Sequence, residues 1–168
     1  MRSTTTICAA AAFFVLPLAA ATPAAAQSGG RNEYAVKYVC GTNTRPTLSP
    51  AVAPGTYYTA INVHNPSGEA VPFVYKVVIA PSGRPGGHTP LTAPFRLGED
   101  EATDVDCMMI TRALDAASIP HGPFWTGFFV IQSPTELDVV AVYTSAASRT
   151  GAVNSIQTER VPVRRRGG

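Results

Sequence analysis

Three histidines, two cysteines far apart in sequence and one run of carboxylates are the groups in this chain with chemistry to offer. His64, His88 and His121 are isolated from one another, and none sits in a nucleophile elbow or other catalytic signature that would place a base beside a nucleophile. A hydrolase is therefore the weakest reading, and no residue is expected to be catalytic. Copper is the metal to weigh first, because it favours His, Cys and Met ligands, and Cys107, Met108, Met109, His64 and His121 supply those types. Against it, His64 falls on an outward strand position and pairing of Cys107 would remove its thiolate. Glu99, Asp100, Glu101, Asp104 and Asp106 offer hard oxygens but lack the alternating spacing and glycine of a calcium loop, so they read as a solvated acidic turn. No metal and no other cofactor is expected.

Binding residues are sought among the aromatics. Core packing consumes most of Tyr57, Tyr58, Phe73, Tyr75, Phe124, Trp125, Phe128 and Phe129, which otherwise would suit a sugar or peptide groove. Tyr58 is expected outside because its neighbours Tyr57 and Thr59 take the opposite face, and Trp125 is the other expected surface contact. The third is His88, in a Pro81–Pro94 stretch with four prolines and three glycines that reads as a long, mobile loop. A small ligand or metal carried under that loop would touch His88.

The N-terminus bears on the compartment. Arg2, an uncharged run from Ile7 to Ala21 and the Ala24-Ala25-Ala26 end form the three parts of a secretory signal peptide, residues 1–26, cut near Ala26. Pro17 and Pro23 interrupt a run already short for a membrane span, so no transmembrane segment is expected after cleavage. The remaining 142 residues, 168 − 26, suit one domain. Cys8 leaves with the leader, and Cys40 with Cys107 then make an even pair, expected as a disulfide in a secreted or periplasmic protein. Closing that loop stabilises by roughly 4 kcal/mol on the chain-entropy account. With Arg2 gone, 12 basic residues face 11 acidic ones, and three of the 12 are Arg164, Arg165 and Arg166. No broad basic face remains for nucleic acid, and residues 164–168 read as a frayed, solubilising tail.

The elements follow from periodicity. Residues 27–32 are a polar, glycine-containing leader, and order is expected from Glu33. Tyr34, Val36, Tyr38 and Cys40 share one face of a first strand. Three prolines make Gly41–Gly55 a loop. Thr56–Asn65 and Val71–Ala80 alternate around an Asn65-Pro66-Ser67-Gly68 turn and are expected as a hairpin. Phe95–Leu97 is a brief strand. Thr103, Val105 and Cys107 alternate with Asp104 and Asp106, which puts Cys107 on an inward face as Cys40 is. Met109, Ile110, Ala113, Leu114 and Ala117 recur at helical spacing, with Asp104 and Asp106 near the positive end and Pro120 beyond the close. Phe124–Tyr143 is expected as the central hairpin, its first strand covered on both faces and turned at Ser133-Pro134. Ala152–Val163 is polar, with the look of an edge strand guarded by charge and proline.

About seven short strands, turns rich in glycine and proline and at most one short helix specify an all-β fold, an antiparallel β-sandwich over residues 33–163. In architecture the chain resembles small secreted bacterial immunoglobulin-like domains. It departs from the antibody pattern, since Cys40 is in the first strand and Trp125 follows the second cysteine. The expected function is that of an exported, non-enzymatic protein acting by binding or assembly at the cell envelope, with a protein, an envelope component or its own copy as partner. A small-ligand or metal carrier is the alternative.

Overall fold

The computed structural model describes residues 31–44, 52–147 and 149–166. Within them the chain is mostly antiparallel β-structure with one short helix. The strands are β1 (Arg31–Asn43), β2 (Gly55–His64), β3 (Val71–Ile79), β4 (Phe95–Leu97), β5 (Ala102–Asp106), β6 (Phe124–Ser133), β7 (Asp138–Ala146), β8 (Val153–Arg160) and β9 (Arg164–Arg166), and the helix α1 (Cys107–Ala116) follows β5. Seven strands have five residues or more and two have three, in keeping with the count the turns imply. The expected signal peptide, most of the leader and the prolines at 46 and 50 lie outside the described residues.

Hydrogen bonds join the strands in the order β4-β3-β6-β1-β2-β7-β8, with β5 beside β2 and β9 beside β1. The sheet curls because β1 and β2 share only three residue pairs, Gly41–Asn43 against Gly55–Tyr57. Beyond that corner β1 runs with β6 while β2 runs with β5 and β7. Two leaves result, and their apolar alternate positions close on one core. Tyr34, Val36, Tyr38 and Cys40 of β1 meet Ile61 and Val63 of β2, Val77 of β3, Phe129 and Ile131 of β6, and Val139 and Ala141 of β7, all buried. Each buried Val, Ile or Phe among them contributes roughly 1.5–3 kcal/mol before entropy is counted.

Both expected hairpins are corrected by this topology. β2 does not pair with β3, nor β6 with β7. Each turn instead carries the chain from one leaf to the other. Asn65 fastens the first crossover: its buried amide donates to the carbonyls of Glu69 (2.7 Å) and Gly98 (2.7 Å), and its oxygen accepts from the Ser67 N–H (3.1 Å). Tyr34 fastens the second, its hydroxyl accepting the Leu137 N–H at 2.7 Å. The reason is physical: alternation says which face is apolar, and two apolar faces can sit side by side or opposite each other.

Three smaller expectations change too. β1 starts at Arg31 and continues to Asn43, so the leader and the loop are each shorter than expected; Gly41, at φ +91°, makes the continuation possible where a side chain would be strained. Residues 164–166 do not fray but pair with Arg31–Glu33. The outer face of β6 is not fully covered, for Phe128 is exposed, with Lys37 Nζ 5.0 Å from its ring. Burial lowers the Lys37 pKa. The helix is as expected, with Asp106 as its cap, accepting from the Met109 N–H at 2.8 Å, and Ile110 and Leu114 facing the core.

Candidate functional site

The disulfide is the firmest of the expected sites. Cys40 ends the inward series of β1 and Cys107 opens α1, their sulfur atoms 2.02 Å apart and their Cα atoms 5.7 Å apart. It spans the gap where β1 has left β2, and so closes one leaf on the other. With its sulfur in this bond, Cys107 has no thiolate to give a metal. His64 lies between Asp100 (2.9 Å) and Asp138 (3.6 Å), and His121 pairs with Asp115 (2.9 Å). Among the described residues no group of three His, Cys, Asp or Glu side chains is placed to hold a metal ion.

His88 is exposed, and the stretch around it is tied down. Its second half runs back along β3, where the Ile79 N–H donates to the Gly87 carbonyl (3.0 Å), the Thr89 N–H to the Val77 carbonyl (2.9 Å) and the Thr92 N–H to the Tyr75 carbonyl (2.9 Å). The Thr89 and Thr92 hydroxyls accept from the Val77 and Tyr75 N–H groups. Thus the expected mobile loop is a zipped flank of the sheet, and His88 turns its Nδ1 to the Thr89 carbonyl at 2.9 Å.

Tyr58 and Trp125 are brought together. Tyr58 stands out from β2 with 59 % of its surface exposed. On its own face of β2 it borders a cleft of 410 Å³ between the β1–β2 corner and α1, lined also by Thr42, Thr56, Met108, Arg112 and Trp125. It also borders a cleft of 220 Å³ on the opposite face of the strand, where Tyr57, Tyr143, Ser155 and Gln157 point. Trp125 in turn borders a third cleft of 450 Å³, between the Pro81–Arg84 turn and the Pro120–Phe124 connection. Tyr58 is thus shared by the first two clefts and Trp125 by the first and third.

Local structure fixes the Trp125 ring. Trp125 stands opposite Cys40 in the β1–β6 register and its benzo edge lies over Gly41, where a Cβ would come within 2.9 Å of Cζ3. His121 packs on its other flank, ring centroids 4.9 Å apart. The indole Nε1 is buried with no acceptor among the described residues. Tyr143, at the far end, donates to Glu159 Oε2 at 2.9 Å, and burial followed by that carboxylate raises its pKa. The alternation of β2 foretold the place of Tyr58. Met108, Arg112 and Arg84 were not foretold as neighbours of these rings, because each comes from a segment distant in sequence; His121 is only four residues from Trp125, but no periodicity marked the Pro120–Pro123 connection that turns it back.

A second surface feature is β8. Among the described residues it pairs with β7 alone, all eight of its residues are exposed, and Val153 and Ile156 show 59 % and 65 % of their surface. Its two charges lie at its end and are engaged within the chain, Glu159 with Tyr143 and Arg160 with Asp138. Val153–Thr158 therefore has neither charge nor proline, so the expected guard on this edge covers only its last residues.

No protein-family profile matches the chain, and no curated protein matches it. A solved structure from Thermotoga maritima, the crystal structure of Thermotoga maritima 1070, has 9 % identity and a TM-score of 0.44 over 81 % of this chain and 95 % of that one, a likeness too small to bear on fold or function. Among the described residues no helix is long and apolar enough to cross a membrane.

Proposed function

We propose that this chain is an exported, non-enzymatic β-sandwich protein of immunoglobulin-like build that works at the cell envelope by binding and assembly, its open β8 edge pairing with the same strand of a second copy. The observation that carries this is the uncharged, proline-free Val153–Thr158 edge, exposed on both faces. Such an edge offers a row of unpaired backbone groups, and strand addition uses them as its main source of affinity. Antiparallel pairing of a strand with its own copy is two-fold symmetric, the commonest closed assembly. The Cys40–Cys107 disulfide supports an oxidising compartment.

Light scattering behind size exclusion tests the pairing. The mature chain should pass from monomer to dimer as concentration rises. Ile156→Lys, which sets charge against the edge without touching the core, should stay monomeric with an unchanged circular dichroism spectrum. A mature chain that is monomeric at every concentration would remove self-pairing. Carriage of a small ligand is the second reading, favoured by the 450 Å³ cleft beside Pro81–Arg84, which borders His121 and not His88.

A further inference from the structure

We propose that the outer face of the leaf formed by β4, β3, β6, β1 and β9 docks on an anionic phospholipid surface, with Lys37, Lys76, Arg96 and Arg164 meeting the headgroups and Phe128 entering between them. Residues opposite one another in an antiparallel ladder share a face, so the registers bring these side chains together. Val78, Phe128 and Lys37 form one row, Lys76, Val130 and Ala35 the next, and Val74, Gln132, Glu33 and Arg164 the one after. Arg96, opposite Pro72, extends the face onto β4. The rows turn away from the core, because the alternate positions Val36, Val77 and Phe129 are buried within it.

Charge divides the molecule between its leaves. The five strands of this one carry seven lysines and arginines and one carboxylate, Glu33. Strands β2, β5, β7 and β8 carry four carboxylates, Asp104, Asp106, Asp138 and Glu159, and one arginine, Arg160, which is tied to Asp138. A near-neutral composition hides this, because the cations come from strands far apart in sequence. Among the described residues no salt bridge joins Lys37, Lys76, Arg96 or Arg164 to a carboxylate, and Glu33 is buried, where it accepts from Gln132 Nε2 at 3.1 Å. Cations spread over neighbouring strands make a positive plane rather than a positive line, and a plane answers a sheet of headgroups better than it answers one polymer strand. Phe128, 38 % exposed beside Lys37 Nζ, adds the apolar contact on which interfacial binding also depends. The acidic leaf on the far side is repelled by the same lipids, which sets the way the molecule lies.

This docking takes from the reading above only that the chain works at the envelope, and its face lies on the leaf that β8 does not join, so vesicle binding and dimer formation are read apart. Co-sedimentation of the mature chain with vesicles of equimolar phosphatidylglycerol and phosphatidylcholine should show binding that weakens as salt rises. Lys37→Gln/Lys76→Gln should weaken it about twentyfold with an unchanged circular dichroism spectrum. Arg112→Gln/Arg149→Gln, which removes the same charge from α1 and from the β7–β8 turn, should weaken it far less. Absence of binding to these vesicles, equal binding to pure phosphatidylcholine, or equally tight binding of soluble polyglutamate would each overturn the proposal, as would a loss in Lys37→Gln/Lys76→Gln no larger than that in Arg112→Gln/Arg149→Gln.

Discussion

Tyr38 shows how single residues set the limits of this fold. Its hydroxyl donates to the Val78 carbonyl at 3.0 Å, and burial raises its pKa above the ordinary 10.0, as it does for Tyr143 together with Glu159. Unfolding returns both phenols to water, where they ionise at the ordinary value. Their contribution to stability is therefore fully present below about pH 10 and is lost as pH rises beyond it. Urea titrations at rising pH should show an alkaline fall in stability that is shallower in Tyr38→Phe. The same variant should lose about 1 kcal/mol at neutral pH with the hydroxyl bond. Gly127 is held by the same contact: a Cβ there would overlap the Val78 oxygen and the Tyr38 ring. Gly127→Ala should lower the urea midpoint by an amount worth about 3 kcal/mol or more. The inward place of Tyr38 is legible in the alternation of β1. The glycine facing it is not, because its reason is a carbonyl on β3.

At the scale of elements the disulfide is the main tie between leaves. The bridged residues are 67 apart in sequence, and the double substitution Cys40→Ala/Cys107→Ala should cost about 4 kcal/mol in urea unfolding and steepen the denaturant slope, since the freed unfolded chain exposes more surface. Removal of the cap by Asp106→Ala should cost about 1 kcal/mol and fray the start of α1. Element positions were largely readable, since strands β2, β3, β5 and β7 and helix α1 carry their periods openly. Their partners were not. The Asn65 and Pro134 turns have the composition of hairpin turns, yet each crosses between leaves, held by the Asn65 and Tyr34 side chains. Turn composition reports a reversal of the chain; the leaf it returns to is decided by long-range burial. Likewise the prolines around His88 suggest looseness, whereas the Thr89 and Thr92 hydroxyls accept from the Val77 and Tyr75 N–H groups and tie the stretch to β3.

For the whole molecule, the curled sheet leaves two different surfaces for use besides the basic face of the β3–β6–β1 leaf. One is the pair of clefts that border Trp125, whose aromatic members could be anticipated one at a time but whose arginines are delivered by α1 and the Pro81–Arg84 turn. The other is the β8 edge, recognisable from its polar sequence as a border and from the structure as an unguarded one. Amide hydrogen exchange on β8 tests the assembly claim most directly, because it reads the backbone bonds themselves. If β8 pairs with its copy, the outward-facing amides of Val153–Arg160 should be protected in concentrated mature protein and lose that protection on dilution or in Ile156→Lys. Free exchange of those amides in a sample that is demonstrably dimeric would contradict the account and place the interface elsewhere.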